Sequence, residues 1–525
     1  MALSRLTQEV VGVGHTAEEA LRRARHSRPK ERFEARFVPA PLYLPTILER
    51  IRPILVAQPI PVYLVGGCVR DALLQRDSHD LDFVVDGSAI SLAFNVADAL
   101  GWPAYVMDRE RDIARVVAPG QATVLDFAGL RGPDLIADLQ ARDFTVNALA
   151  LPADADTAEA IIDPCGGLGD ILAGRLRHTH PRAVTDDPVR AVRAARLAGQ
   201  LGFTLTPGTI RAARAAVKQV ERVSAERLRD EFLKLLMTPD PVAGLIQLAD
   251  WGWLSRIAPE LTALRDVAQS PPHHEPVLAH TFSVLRWLIA LERNLVAPSA
   301  PDDPRLELAQ PTLRAFQLAL SDHLERSIEG GLTGRHLLRL GALFHDVGKA
   351  PTQTREPDGR IRFLGHETVG AELTARRLRA LRVSNEAVQQ VKQIVAGHMR
   401  PLHLLTETTV SRRAIYRFFK TAQPAGLDIG LVALADHLAT YAAADEASWP
   451  RLVALVDQLY RHYFEQFEQV IRPRPLVDGH TLIRDLGLPP GPEIGRILRL
   501  LEEAQAVGDI HTPDEALALA RRIAG

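Results

Sequence analysis

Residues 64–85, LVGGCVRDALLQRDSHDLDFVV, constrain the fold of this chain more than any other stretch. The apolar run VYLV (62–65) reads as a strand that ends in Gly66-Gly67, with a helical stretch beginning near Cys68. Two glycines at a strand end let backbone amides approach a phosphate closely. Arg70 follows on the first helical turn, where it can meet phosphate oxygens. Asp80 and Asp82 stand two residues apart in a strand-like run, so both carboxylates face one side. Carboxylates held on one face repel unless positive charge lies between them. Two divalent metals meet that need and also serve phosphoryl transfer. Singly, a Gly-Gly pair is usually a turn and an Asp-x-Asp a solvated strand end. The information lies in their order and spacing.

LDFVV (81–85) and TVLDFA (123–128) read as further strands, with the helical SLAFNVADAL (91–100) between them. From about residue 181 helices dominate, as in the amphipathic stretches 186–203 and 211–236. PPHHEP (271–276) reads as a linker, and IRPRPLVDGH (471–480) introduces a last helical piece. A chain of 525 residues holds more than one core at about 100–200 residues per domain. The expected organisation is an extension (1–45), an α/β head (46–180), a helical neck (181–270), a second helical block (271–445) and a C-terminal helical segment (446–525). The extension is highly charged and weakly periodic, a solvated helix or disordered, and no function is assigned to it.

The net charge of −2 requires any nucleic-acid-binding surface to be local. The two cysteines, Cys68 and Cys165, form no CxxC, which argues against a disulfide scaffold and for a reducing compartment. No apolar run reaches the roughly 20 residues of a membrane span, and the N-terminus lacks a secretory h-region. The expectation is a cytoplasmic protein.

GGxVRDxLL followed by DxD resembles the signature of the class II CCA-adding enzymes and bacterial poly(A) polymerases, within the polymerase β-like nucleotidyltransferases. ARDFTVNALA (141–150), IIDPCGGLGDI (161–171), DDPVRAVRAARLAGQLGF (186–203) and AERLRDEFLKLL (225–236) resemble later motifs of that family, in order. The resemblance implies an α+β fold: a polymerase β-like head with a mixed sheet, then all-α neck, second and C-terminal domains. It implies two Mg²⁺ ions on Asp80 and Asp82, and attack of an RNA 3′-hydroxyl on the α-phosphate of a nucleoside triphosphate. Gly66, Gly67 and Arg70 would sit at phosphates, and Arg142 and Asp143 at the incoming nucleotide and its ribose. Asp187 and Arg190 would hydrogen-bond the base edge of CTP or ATP, Asp as acceptor and Arg as donor, replacing a template. Arg193 and Arg196 would face the triphosphate. By spacing alone, the three arginines are as readily a solvated helix face. Asp126 reads either as a third acidic group or as a strand-end Asp.

Two departures bear on the nucleotide added. The first Arg of the family's RRDFT is Ala141 here. Asp126 and Asp143 are 17 positions apart, whereas full CCA-adding enzymes carry a longer flexible loop between these points. Short-loop relatives include enzymes that add only the two cytidines, so the resemblance favours CC addition to a tRNA 3′ end.

A second constellation consists of His280, His345-Asp346, His366, His398 and Asp436. A lone His on an apolar helix is most often a hydrogen-bonded core residue. The order H…HD…H…H…D resembles the HD phosphohydrolases whose extra histidines can hold two metals. Imidazole and carboxylate donors suit a divalent transition metal or Mg²⁺. Lys349 is a candidate phosphate contact. The alternatives are a poly(A) polymerase, a degenerate HD domain serving as an RNA platform, and an HD phosphodiesterase or phosphatase with the head as scaffold.

Overall fold

A computed structural model describes residues 1–524 except 8, 15, 37, 39, 40, 122, 297–302, 408 and 442–447. It forms two compact units, residues 1–227 with 250–253, and residues 228–249 with 254–525. The division falls inside the segment 181–270.

In the first unit, Val62–Val65 (β1), Asp80–Val85 (β2), Ala104–Asp108 (β3), Ile113–Val117 (β4), Val124–Gly129 (β5) and Ala150–Pro152 (β6) form a mixed sheet in the order β3-β4-β5-β2-β1-β6. β2 and β5 run parallel, and the other neighbours are antiparallel. Alternation along β2 buries Leu81 and Phe83 and leaves Asp80 and Asp82 outward. Phe83 pairs in register with Phe127 and stacks on it, ring centroids 4.8 Å apart. Full burial of such a ring contributes about 1.5–3 kcal/mol, which fixes which face the carboxylates take.

Two helices accompany the sheet. Gly67–Leu73 (α1) follows β1 directly, and Ala89–Leu100 (α2) packs on β4 and β5. The first N–H groups of α2 are capped by Asp112, which accepts from Ala89 N at 2.6 Å and Ile90 N at 3.0 Å. Later in this unit, Arg190–Leu201 (α3) is closed by Gly202 in the left-handed conformation.

Residues 1–36 are folded. Ala17–Ser27 is a helix capped by Thr16, and it lays Ala20 and Ala24 on three short antiparallel strands, Ala2–Ser4, Val10–Gly12 and Phe33–Ala35. Strands of three residues are too short to show a period of two, so the sequence leaves this segment open between a solvated helix and disorder.

Among its described residues the second unit is helical apart from two small hairpins, Ser327–Ile328 with Leu332–Thr333 and Thr354–Arg355 with Ile361–Arg362. Its centre is Gly426–Thr440, buried at every residue and packed against Val277–Val296 (α4), Gly334–Phe344 (α5) and Asn385–Gly397. His366–Ala380 (α6) lies along Asn385–Gly397. A mixed-sheet head and a helical remainder are thus what the chain forms. No helix among the described residues is long and apolar enough to cross a membrane.

Candidate active sites

The carboxylates gather on the N-terminal halves of the parallel pair. Asp82 lies beside Asp126 in register, and Arg115 of β4 faces Asp126 from the other side. Arg115 Nε and Nη2 donate to the two Asp126 oxygens at 2.8 Å each. Asp82 is exposed as a residue, yet its carboxyl is crowded. Loss of water and then the charge of Asp126 push its pKa up to about 6, with Asp80 adding and Arg142 and Arg115 opposing. Three acids short of positive charge are a donor set for divalent cations. Asp126 therefore stands within the acidic cluster, and Arg115, which sequence reasoning missed, is its partner.

Gly66 closes the other side. Its φ of 79° favours glycine, and a Cβ there would lie 3.1 Å from Arg142 Nη1 and 3.6 Å from Asp82 Oδ2. Arg70 differs from expectation. It is buried, with Nε and Nη2 on Asp71 at 2.9 Å and Nη1 on Asn147 Oδ1, so it braces α1 against the 145–147 turn.

Asp143 is buried and accepts from Phe144 N at 2.7 Å, Asn147 Nδ2 at 3.1 Å and Arg193 Nη1 at 3.0 Å. Burial alone would raise its pKa, but the charge and hydrogen bond of Arg193 hold it below the usual carboxylate value. Arg193 thus meets an acid of the head, and Arg196 reaches Gln200 on its own helix at 2.8 Å. Arg190, Arg193 and Arg196 thus have different partners.

Arg190 reaches back to the head through main-chain carbonyls. Nη1 donates to Arg142 O at 3.3 Å and Ala183 O at 3.1 Å, and Nη2 to Ala141 O at 3.2 Å. Its Nε is buried without a hydrogen-bond partner, 3.7 Å from Asp187 Oδ2. Arg227 donates to that same oxygen at 2.7 Å. Arg227 lies in the 225–236 stretch, and its spacing gave no sign of this contact. Between β5 and the helix Leu135–Gln140 the chain has only residues 130–134, ending in the N-cap Asp134.

In the second unit the six histidines and aspartates of the HD-like order converge. His280 Nε2 lies 2.9 Å from Asp436 Oδ1 and 4.0 Å from Asp346 Oδ2. His345 Nε2 lies 3.2 Å from Asp346 Oδ2, and His366 and His398 lie 3.4 and 3.8 Å from Asp346 Oδ1. Two buried triads result, His280–His345–Asp346 and Asp346–His366–His398, with Asp346 in both. His345, His366 and His398 each turn Nδ1 to a carbonyl oxygen three residues earlier, at 2.7, 2.8 and 2.7 Å. With Nδ1 as the donor, Nε2 is a bare lone pair aimed inward, the form a metal takes. His345 Nε2 is buried without a hydrogen bond, in a donor set that fits a divalent cation.

Lys349 Nζ lies 2.7 Å from Asp346 Oδ2 and donates to Gln269 Oε1 at 2.7 Å, so it neutralises the shared carboxylate rather than projecting into solvent. His273, read from sequence as part of a linker, packs its ring 4.9 Å from His280 and lines a cavity of about 500 Å³ with Asp346, His366 and Asp436.

The sheet order, the Gly-Gly turn into α1 and the acidic strand pair define a nucleotidyltransferase head, joined in the same chain to an HD domain. Family models agree: the poly(A) polymerase head domain matches residues 62–177, the RNA and SrmB-binding site of polymerase A 202–264, the HD domain 277–441, and the tRNA nucleotidyltransferase domain 2 367–520. The A-adding tRNA nucleotidyltransferase of Deinococcus radiodurans is 34% identical over 479 residues, 90% of this chain and 98% of its own. The CC-adding tRNA nucleotidyltransferase of Thermus thermophilus is 34% identical over 466 residues, 88% of this chain and 93% of its own. A CCA-adding enzyme solved in complex with ATP shares the fold, with a TM-score of 0.57 at 20% identity over 92% of this chain and 96% of that one. The chain belongs to the class II CCA-adding tRNA nucleotidyltransferase family and carries an HD domain.

Proposed function

We propose that the chain adds cytidines from CTP to the 3′ end of tRNA without a nucleic-acid template, stopping at CC. The observation that carries this reading is the short 130–134 connection, since relatives of equal identity add A in one case and CC in another. Asp80 and Asp82, with Asp126 beside them, would hold two Mg²⁺ ions, which activate a 3′-hydroxyl and stabilise pyrophosphate when bound. Gly66 and Gly67 leave the space in which a triphosphate approaches the backbone. Asp187 accepts from the exocyclic amine of the base and Arg190 Nε donates to the adjacent ring nitrogen. Asp143, oriented by Arg193, and Arg142 bind the sugar side of the nucleotide.

The HD cluster supports a second activity, hydrolysis of phosphate esters at RNA ends. His280, His345, Asp346, His366, His398 and Asp436 would hold divalent transition metals or Mg²⁺, which supply Lewis acidity there. Lys349 and His273 lie where a phosphate oxygen would enter. The division into 46–180, 181–270, 271–445 and 446–525, and a cytoplasmic location, belong to the same reading.

The test uses tRNA transcripts ending before CCA, after C and after CC, with CTP and ATP singly and together, and sequencing of the products. Addition that stops at CC is expected. Addition of A to a CC end refutes the loop argument, and long A tails refute the tRNA reading in favour of a poly(A) polymerase.

A further inference from the structure

An aromatic side chain that precedes the matched head domain lines a cavity with the residues leading into β2 and β5. Leu42 is buried and donates its N–H to Asp156 O at 2.8 Å, which turns the next residue outward. Tyr43 is 52% exposed, and its hydroxyl donates to Asp77 Oδ1 at 2.9 Å. Tyr43, Arg76, Asp77, Ser78, His79 and Thr123 line a cavity of about 270 Å³ together with residues 44–47. His79 immediately precedes Asp80, and its carbonyl accepts from Val124 N at 2.9 Å. The cavity therefore borders the starts of β2 and β5, the same strand ends that carry Asp80, Asp82 and Asp126.

Its size and lining limit what it holds. Whole-ligand pockets run to about 300–1,000 Å³, so this one suits a single ring rather than a nucleotide. A phenol ring open to solvent beside a guanidinium is the combination by which proteins hold the unstacked bases of single-stranded nucleic acid. Arg76 is exposed and donates Nη1 to Gln200 O at 3.3 Å, one of the five N–H groups a guanidinium carries. The incoming nucleotide has its base reader at Asp187 and Arg190. A second base-sized site at the catalytic edge fits the other reactant.

We propose that Tyr43 stacks on a base of the single-stranded RNA acceptor end while Arg76 meets an adjacent phosphate, fixing the 3′-hydroxyl before Asp80 and Asp82. This rests on the nucleotidyltransferase reading above. Tyr43 is a substrate-binding residue here through the face of its ring, and the hydroxyl is not required.

The experiment compares wild type, Tyr43→Ala, Tyr43→Phe and Arg76→Ala on a tRNA transcript lacking CCA, with 2-aminopurine as its last base. Tyr43→Ala is expected to raise KM for the tRNA about tenfold, with KM for CTP unchanged, and to abolish the fluorescence change of the 2-aminopurine on binding. Tyr43→Phe keeps the ring and restores both. Arg76→Ala raises KM for the tRNA and weakens its salt dependence. An unchanged tRNA KM and fluorescence response in Tyr43→Ala overturns the proposal. So does equal impairment of Tyr43→Phe and Tyr43→Ala, which would make the Asp77 hydrogen bond a structural clasp. Absence of addition by the wild type would instead overturn the nucleotidyltransferase reading.

Discussion

Arg227 holds Asp187 by one oxygen, at 2.7 Å, and in the function proposed above the other oxygen is the one that accepts from the base. Arg190 Nε stands 3.7 Å from the held atom with no hydrogen-bond partner. Cytosine and adenine both present an amine beside a ring nitrogen, whereas uracil presents a carbonyl where cytosine has its amine. Fixing the carboxylate is what makes that difference readable.

Arg227→Ala should therefore raise KM for CTP and increase misincorporation of UMP, with less effect on kcat. A charge-assisted contact this exposed contributes about 1 kcal/mol, roughly fivefold in KM. Steady-state kinetics with CTP and UTP measure it. A variant as selective as the wild type would show that Asp187 keeps its orientation without Arg227.

Asp82→Asn should abolish nucleotide addition and leave phosphate-ester hydrolysis intact. It also carries a pH signature. The Asp82 pKa lies at about 6, above its ordinary 3.8, so the folded protein favours the neutral acid. Its charge therefore opposes folding progressively as pH rises from about 4 to 6, and fully above that. Without divalent cations, Asp82→Asn should melt at a higher temperature than wild type at about pH 7.5, with the gap closing as pH falls toward about 4. Mg²⁺ should raise the melting temperature of wild type more than that of the variant. A variant that melts below wild type at neutral pH contradicts the crowding described for this carboxyl.

His345→Ala should lower Mn²⁺- or Ni²⁺-dependent hydrolysis of a phosphodiester at least about 100-fold and leave nucleotide addition unaffected. Metal analysis separates the two triads. His366→Ala is expected to lose one metal equivalent, and Asp346→Asn both. Full metal content in Asp346→Asn would show that the shared carboxylate is no ligand.

Gly348→Ala offers a test through packing alone. A Cβ at this position would lie 2.0 Å from His366 O and 2.7 Å from Gly370 N, both backbone atoms of α6. The helix must move and carry His366 with it, at a cost of about 1–3 kcal/mol. Reduced hydrolysis with normal nucleotide addition is the expected outcome, and unaltered hydrolysis would mean that α6 yields without disturbing the cluster.

The parts of the fold legible in sequence were those with long periods or fixed local chemistry. The strand into Gly66, the Asp80–Asp82 alternation and the helix of residues 190–201 follow from side-chain spacing alone. The six HD-cluster residues were legible as an ordered set, although no spacing says that Asp346 serves two triads. What stayed hidden depends on contacts across the chain. Arg115 meets Asp126 only because β4 pairs with β5, and Arg227 reaches Asp187 across 40 residues of sequence. His273 lay in a Pro-rich stretch that resembles a linker, and Tyr43 in a segment preceding every recognisable motif. Nor does spacing reveal that the neighbouring Asp71 and the distant Asn147 hold the Arg70 guanidinium.

The grip on Arg190 has a consequence for how this protein can change. Three of its hydrogen bonds end on the peptide carbonyls of residues 141, 142 and 183, which any amino acid supplies. Ala141, which stands where the resembling RRDFT motif has its first arginine, leaves that scaffold whole. If Arg190 reads the base as proposed above, side-chain drift at those positions leaves its placement intact. Altered nucleotide preference is then expected to arise at Asp187, Arg227 or the short 130–134 connection, where laboratory evolution should find it.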